Sequence, residues 1–398
     1  MSEWQEVRIR DIVSILGDGL HGTPQYDDNG EYFFINGNNL SNGKIAIKPE
    51  TKRVSYEEYL KYQKPLNDRT IMVSINGTIG NIALYNGEKC ILGKSACYFN
   101  VNEDVDKNFI KYIVTDNDFQ NYISQFANGT TIKNVSLEVM RDYSFPLPSL
   151  PTQYAIAEVL SSLDDKIDLL TRQNATLEAL AQTYFRQWFV EGADMNWEER
   201  TLGEFVSCVT GLSYKGEYLQ PSSNALVTLK NYERTGGFTR RGFKEYIGDF
   251  KEEHIVKNGD IIVAHTDLTQ NGEVVGNVII VEDDPRYNKL ILTMDSAKIE
   301  PTTNRITKEY LYYLLLNNDF KEYCIGYANG STVLHLGRKA VIEYLFRLPP
   351  IELINSFTLF TRDILYKKRI NSDQITTLQK LRDTLLPKLI NGEVRVRQ

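Results

Sequence analysis

Between residues 152 and 189 apolar side chains recur with the 4,3 spacing of a helical seam. One row is Ile156, Leu163, Leu170, Leu177 and Tyr184. The other is Leu160, Ile167, Asn174, Ala181 and Trp188. No Gly or Pro interrupts the pattern, and Pro148 and Pro151 stand just before it. It predicts a single helix, roughly 57 Å long at 1.5 Å per residue. A lone helix of that length cannot bury its own stripe and needs a partner. A second pattern near the C-terminus supplies one. Phe357, Ile364, Asn371, Leu378 and Leu385 repeat the first row, and Ile375 and Leu389 fill places in the second. Thr361, Lys368 and Arg382 depart from it and make this seam more polar. Opposing Asn174 and Asn371 in an antiparallel pair brings Leu160 to Leu385, Ile167 to Leu378, Leu170 to Ile375 and Trp188 to Phe357. A buried Asn pair costs stability and fixes register. The competing arrangement is two amphipathic helices, each packed on its own domain.

The rest of the chain is duplicated. Trp4-Gln-Glu-Val-Arg matches Trp197-Glu-Glu-Arg-Thr, and Asp68-Arg-Thr-Ile-Met-Val-Ser matches Gly259-Asp-Ile-Ile-Val-Ala. Gly80-Asn-Ile-Ala matches Gly276-Asn-Val-Ile, and Lys94-Ser-Ala-Cys matches Asp295-Ser-Ala-Lys. Ala127-Asn-Gly-Thr-Thr-Ile matches Ala328-Asn-Gly-Ser-Thr-Val, and Phe145-Pro-Leu-Pro matches Phe346-Arg-Leu-Pro. A long helix follows in each half. Short apolar or alternating runs at 70–74, 82–85, 261–264 and 278–281 predict strands, punctuated by Gly-, Asn- and Asp-rich turns. A helix is predicted at 107–126 and again at 308–327, each ending at an Asn-Gly C-cap. The expected fold is α+β: two tandem-repeat globular domains with curved sheets, joined by two long helices forming an antiparallel coiled coil. The expected boundaries are 1–150 for the first domain, 151–193 for the central helix, 194–349 for the second domain and 350–398 for the C-terminal helix and tail.

Composition narrows the class. The 398 residues are 42% hydrophobic and 24% charged, as in ordinary globular protein. No apolar run reaches transmembrane length, and the N-terminus lacks the apolar core of a signal peptide. Four scattered Cys without a CxxC pair suggest reduced thiols in a cytoplasm. The net charge of −7 gives no prior for nucleic acid, so a DNA-binding role requires the basic residues to gather on one face. Enzymatic signatures are missing: no P-loop, no Gly-x-Ser-x-Gly elbow, no NPPY-type motif, and no metal-ligand spacing among the four His. Glu50-Thr-Lys52 is a chance resemblance to a nuclease motif. Gly17-Asp-Gly-Leu-His-Gly22 satisfies GxGxxG, but Thr23-Pro24 follows where a dinucleotide site needs a helix, so it reads as a loop with positive-φ positions. A stand-alone enzyme is disfavoured.

Several polar loops are candidate DNA contacts. The first repeat offers His21, Thr23 and Gln25, then Thr78 in Asn76-Gly-Thr-Ile-Gly80. The second offers His265, Thr266, Asp267 and Gln270. Gln and Asn pair with the adenine edge, Asp accepts from the cytosine amine, and Arg or Lys reads guanine. Thr130 and Lys133 in one repeat, with Ser331 and His335 in the other, lie in loops able to hold a phosphate or simply to cap a helix. Basic residues interleaved with aromatics run from Lys230 to Lys244. Arg234, Arg240, Arg241 and Lys244 are its candidate phosphate contacts, although Glu233 and Glu245 dilute the run toward a solvated strand face. Lys94 and Arg338 are further cationic candidates.

These residues resemble the DNA-specificity (S) subunit of a Type I restriction-modification system, over nearly the whole chain. The most telling segments are Asn128-Gly-Thr-Thr with Phe145-Pro-Leu-Pro-Ser-Leu-Pro-Thr-Gln153, and Asn329-Gly-Ser-Thr with Phe346-Arg-Leu-Pro-Pro-Ile351, each leading into a long helix. The terminal Leu381-Arg-Asp-Thr-Leu-Leu-Pro-Lys-Leu-Ile-Asn-Gly-Glu393 is also similar to that family's ending. Phe34-Ile-Asn-Gly-Asn-Asn-Leu, Gly77-Thr-Ile-Gly and Thr266-Asp-Leu-Thr-Gln resemble recurrent target-recognition-domain segments. The second half departs by having Ile351-Glu-Leu where the first has Thr152-Gln153. The resemblance implies a non-catalytic subunit of a methyltransferase and endonuclease complex. Each domain would read half of a split double-stranded DNA target through the major groove. The helices would act as spacer and ruler and dock two methyltransferase (M) subunits, with restriction (R) subunits joining through the complex. It implies no cofactor in this chain; S-adenosylmethionine, ATP and Mg belong to the partners. Two similar domains on an antiparallel pair suit half-sites about one turn, roughly 34–36 Å, apart. Their differing loops imply a non-palindromic target. The competing classes are a coiled-coil protein scaffold, which would lack salt-dependent duplex binding, and an unrecognised methyltransferase, which would bind S-adenosylmethionine alone.

Overall fold

The apolar runs that predict strands are buried on both faces, which is why they lack a solvent-facing alternation. The structure is a computed structural model and describes residues 4–129, 132–233, 236–267, 272–330 and 333–396. Thr130, Arg234, Gln270 and Ser331, and the side chain of Arg338, lie outside the described residues. The chain divides into two units, Met1–Leu169 with Gln374–Gln398, and Leu170–Asp373. Each is an α+β head with segments of both long helices.

In the first unit a four-stranded antiparallel sheet has the order Val13–Asp18, Ala96–Val101, Thr70–Ser74, Ile82–Leu84. All five residues of Thr70–Ser74 are buried. A second sheet sets Tyr32–Ile35 parallel to Cys90–Leu92. The second unit repeats this with Val206–Thr210, Ser296–Pro301, Ile261–Ala264 and Val278–Ile280, and with Asn224–Val227 parallel to Lys289–Leu292. In each unit the first strand of the repeat closes on the strand just before the long helix: Gln5–Arg8 on Ser144–Leu147, and Glu199–Thr201 on Leu345–Arg347.

The single helix predicted at 107–126 is two helices, Lys107–Thr115 and Asn117–Gln125. Asp116 leaves helical geometry between them, and its carboxylate accepts from the Asp118 amide at 3.0 Å. The second repeat breaks the same way at Asn317, between Lys308–Leu316 and Asn318–Tyr327. The Asn-Gly pairs are not helix caps either. Asn128 bridges Asn134, and Asn329 pairs with His335, so Gly129 and Gly330, with φ of 108° and 137°, turn hairpins. A side chain on either would collide with a carbonyl across the turn.

The long helices run Leu150–Phe185, continued by a π-type turn over Arg186–Glu191, and Ile351–Ile390. Within the second unit their segments run antiparallel, as the seam predicts. Asn371 Nδ2 donates to Asn174 Oδ1 at 2.9 Å, and the Trp188 and Phe357 rings lie 6.1 Å apart. The polar departures have partners. The buried Thr361 hydroxyl donates to the Phe357 carbonyl at 2.8 Å, and Lys368 pairs with Glu178. In the first unit Ile156 and Leu160 share a core with Leu386, Leu389 and Ile390, and Arg382 meets Asp164 at 2.9 Å. The helices therefore pair and also pack on the heads, which joins the two arrangements set against each other above.

The junction of head and helix differs between units. In the first, Gln153 is buried and its Oε1 accepts from the Asp106 amide at 2.8 Å. Lys111 and the Tyr112 hydroxyl reach Asp164 at 2.9 and 2.8 Å. Burial opposes the Asp164 charge, but Lys111, Arg382 and Tyr112 outweigh it and hold the carboxyl below the usual carboxylate range. In the second unit buried Ile354 stands where Gln153 does, and that helix begins at Ile351, directly after Pro350.

Candidate nucleic-acid interface

Three loops converge at one end of the main sheet in each unit: two leave neighbouring parts of its ladder, and the third follows a helix and is bridged to the second. In the first unit the chain leaves Val13–Asp18 and crosses the end of Cys90–Leu92. The Leu20 amide donates to the Leu92 carbonyl at 2.6 Å, and the Lys94 amide donates back to the Leu20 carbonyl at 3.0 Å. The crossing is so close that a Cβ on Gly19 would lie 2.3 Å from the carbonyl oxygens of Gly93 and Leu92. Gly17, Gly19 and Gly22 are not among the positive-φ residues, so the expected left-handed loop is replaced by a close approach of backbone. The second loop is tied down where the Ile75 amide donates to the Ser95 carbonyl at 2.9 Å. The third joins it through the Asn76–Asn134 bridge, an Asn76 Nδ2 to Asn134 Oδ1 bond of 3.2 Å, and a Gly77 amide to Lys133 carbonyl bond of 3.0 Å.

Between these loops lies a hollow of about 260 Å³ lined by Asp18, His21, Asn76, Lys94, Asn134 and Ser136, among others. His21 Nε2 sits 2.5 Å from Asp18 Oδ2. His21, Lys94, Lys133 and Thr78 are exposed around it. Thr23 and Gln25 are exposed further along their loop and do not line the hollow; the Gln25 backbone amide donates to Glu58 at 2.8 Å. The structure thus unites His21 and Lys94 and adds Asp18, Asn76 and Asn134. The sequence signal for this loop is the duplicated Asn128-Gly129, whose Asn bridges Asn134.

The second unit repeats the three loops. Gly211 makes the same approach, 2.3 Å from the Leu292 carbonyl. The Leu212 amide donates to Leu292 at 2.7 Å, the Met294 amide to Leu212 at 2.9 Å, and the His265 amide to Asp295 at 2.7 Å. Matched bond for bond, these equate Met294 with Lys94, and Asp295 with Ser95. The alignment of Lys94 with Asp295 is therefore one residue out. Thr266 and Asn329 flank His335 as Asn76 and Asn128 flank Asn134.

Several second-unit candidates turn inward. His265, Thr266 and Asp267 are buried; only His335, its Nδ1 3.4 Å from the Thr266 hydroxyl, is exposed among these four. Asp267 Oδ2 accepts from the Val274 and Val275 amides at 2.5 and 3.1 Å, so it closes a loop and is not a free acceptor for cytosine. Arg240 is also withdrawn. Its side chain is 14% exposed, held by Glu282 at 3.4 Å and Asp373 at 2.7 Å. Lys244 stands over the Tyr214 ring and donates to its hydroxyl at 3.1 Å. The aromatics of this basic run are largely core: Tyr232 donates to Ser296, and Phe238 packs on Phe243. Lys230 and Arg241 keep exposed side chains. Arg338 opens the helix Arg338–Glu343. Asn174 and Asn371 are seam residues, as expected. No group of His, Cys, Asp and Glu among the described residues is arranged to hold a metal ion, and no helix among them is long and apolar enough to cross a membrane.

The pattern of the Type I restriction modification DNA specificity domain matches residues 1–179 and again 195–355. The Type I restriction enzyme MjaIX specificity subunit of Methanocaldococcus jannaschii is 22% identical over all of this chain and 94% of its own. The HindI specificity subunit of Haemophilus influenzae is 24% identical over 72% of this chain and 77% of its own. Among solved structures, a Type I restriction-modification S subunit from M. genitalium superposes with a TM-score of 0.58 at 21% identity, covering 98% of this chain and 96% of that one. The last likeness is one of fold.

Proposed function

The chain belongs to the Type I restriction modification DNA specificity family, and on that premise we propose that each repeat reads one half of a bipartite duplex target for a restriction-modification complex. The family is that of the specificity subunits, which are non-catalytic components. One observation carries the reading: both units gather the same three loops at one sheet end and arm them differently. A common backbone with unlike side chains is what two unlike half-sites require. Asn76, Asn134 and Lys94 in one unit, and Met294 and His335 in the other, stand where base edges would be read. Lys133, Lys230 and Arg241 are exposed cations available to phosphates, which position a protein on DNA without specifying sequence. The catalytic groups, with S-adenosylmethionine, ATP and Mg, would come from methyltransferase and restriction subunits in the cytoplasm. The helix pair would set the spacer between half-sites.

Methylome sequencing with and without the gene tests this directly. One split, non-palindromic motif should vanish on deletion. Exchanging residues 1–150 for another such domain should then change one half of the motif and leave the other. An unchanged methylome, or a swap that alters both halves, overturns the reading.

A further inference from the structure

Met294 is 52% exposed, while its neighbours Leu292 and Ala297 are buried. Single exposed apolar side chains are common on protein surfaces; the place of this one is what distinguishes it. Three backbone bonds fix it at the position that Lys94 holds in the first unit, on the rim of the reading hollow. Around Lys94 stand Asp18, His21 and Asn134. By the same ladder pairing, the second unit carries Thr210, Ser213 and His335 there. The Lys94 ammonium of one repeat is thus replaced by an apolar tip in the other.

The major groove offers one apolar feature that distinguishes bases, the thymine C5-methyl group, whereas a lysine ammonium at the same place selects the O6 and N7 acceptors of guanine. We infer that Met294 packs on a thymine methyl in the half-site read by the second repeat, and that Lys94 donates to a guanine in the half-site read by the first. Met294 is then a specificity-determining residue. A flexible thioether suits this contact, because it follows the methyl without a fixed hydrogen-bond angle. The inference rests on the proposed reading of DNA by these loops.

The test uses the intact complex and the target given by the methylome. Each thymine of the second half-site is replaced in turn by deoxyuridine, which lacks only the methyl group. At one position affinity should fall about fourfold, the worth of one buried methyl. Met294→Ala should lose the same factor on the unmodified duplex and nothing more on the deoxyuridine duplex. Met294→Lys should move the preference at that position from thymine to guanine, and Lys94→Met should do the reverse in the first half-site. The inference is overturned if the second half-site contains no thymine, or if deoxyuridine is tolerated at every one, while the target still outcompetes a scrambled duplex. If target and scrambled duplex bind alike, the underlying reading of DNA fails instead.

Discussion

At one matched set of places the first repeat meets its long helices through charge, and the second meets them through hydrocarbon. Lys111, Tyr112, Asp164 and Arg382 form one connected polar cluster in the first unit. The same places in the second carry Tyr312, Tyr313, Leu365 and Ala181, all in or beside the core. Gln153 in one is Ile354 in the other. The Tyr112 hydroxyl has Asp164 and Ser161 as partners; the Tyr313 hydroxyl is buried without one. Two junctions of similar shape therefore rest on different physics. What they share is the backbone ladder and the periodic placement of bulk, so the chemistry filling those places was free to diverge. The reading faces follow the same rule, with Lys94 and Met294 on one backbone position.

That contrast can be broken in order of size. Asp164→Asn should cost about 2–3 kcal/mol at neutral pH, since it leaves the half-buried Lys111 without an anion and Arg382 with only the exposed Asp383. Because the Asp164 carboxyl is held low, its contribution is complete above the unfolded value near pH 4 and disappears as pH falls through the lower folded value. Urea unfolding of wild type and variant should accordingly converge as the pH is taken down through the folded carboxyl's titration; a gap that persists in acid would mean the side chain acts by packing. Leu365, at the matching place in the second unit, contributes no such acid sensitivity. Replacing Asn174 and Asn371 together by Leu should raise stability by about 1–2 kcal/mol, as the buried Asn371 Oδ1 lacks a partner. The same change should loosen register, read as heterogeneous amide exchange along both helices; unchanged exchange would deny the pair its registering role. The smallest effect separates the two tyrosines. Tyr112→Phe should cost about 1 kcal/mol, while Tyr313→Phe should be neutral or stabilising by a similar amount, measured by the same unfolding curves. Equal losses would show that Tyr313 has a partner after all.

Much of the architecture was legible because its signals are local and periodic. The two apolar rows placed both helices, and the isolated Asn in each row identified the pair that opposes. The fully apolar runs located Thr70–Ser74 and Ile261–Ala264. The misreadings fall where a residue's role depends on what is near in space. Asn-Gly serves a helix end or a hairpin equally well, and only the pairing of Asn128 with Asn134 decides. Asp116 and Asn317 sit inside apolar helical periodicity, yet each stops a helix. Arg240 looked like a phosphate contact because Glu282 and Asp373 are far from it in the chain.

By itself the sequence determined the duplication, the strand runs, and the antiparallel register of the helices, since hydrophobic period and a lone polar residue in a seam need no knowledge of distant neighbours. Only the tertiary structure decided which side chains share the hollow, that Lys94 answers to Met294, and which candidates turn inward. Those outcomes depend on hydrogen bonds between strands remote in sequence, where a slip of one residue exchanges a buried side chain for an exposed one.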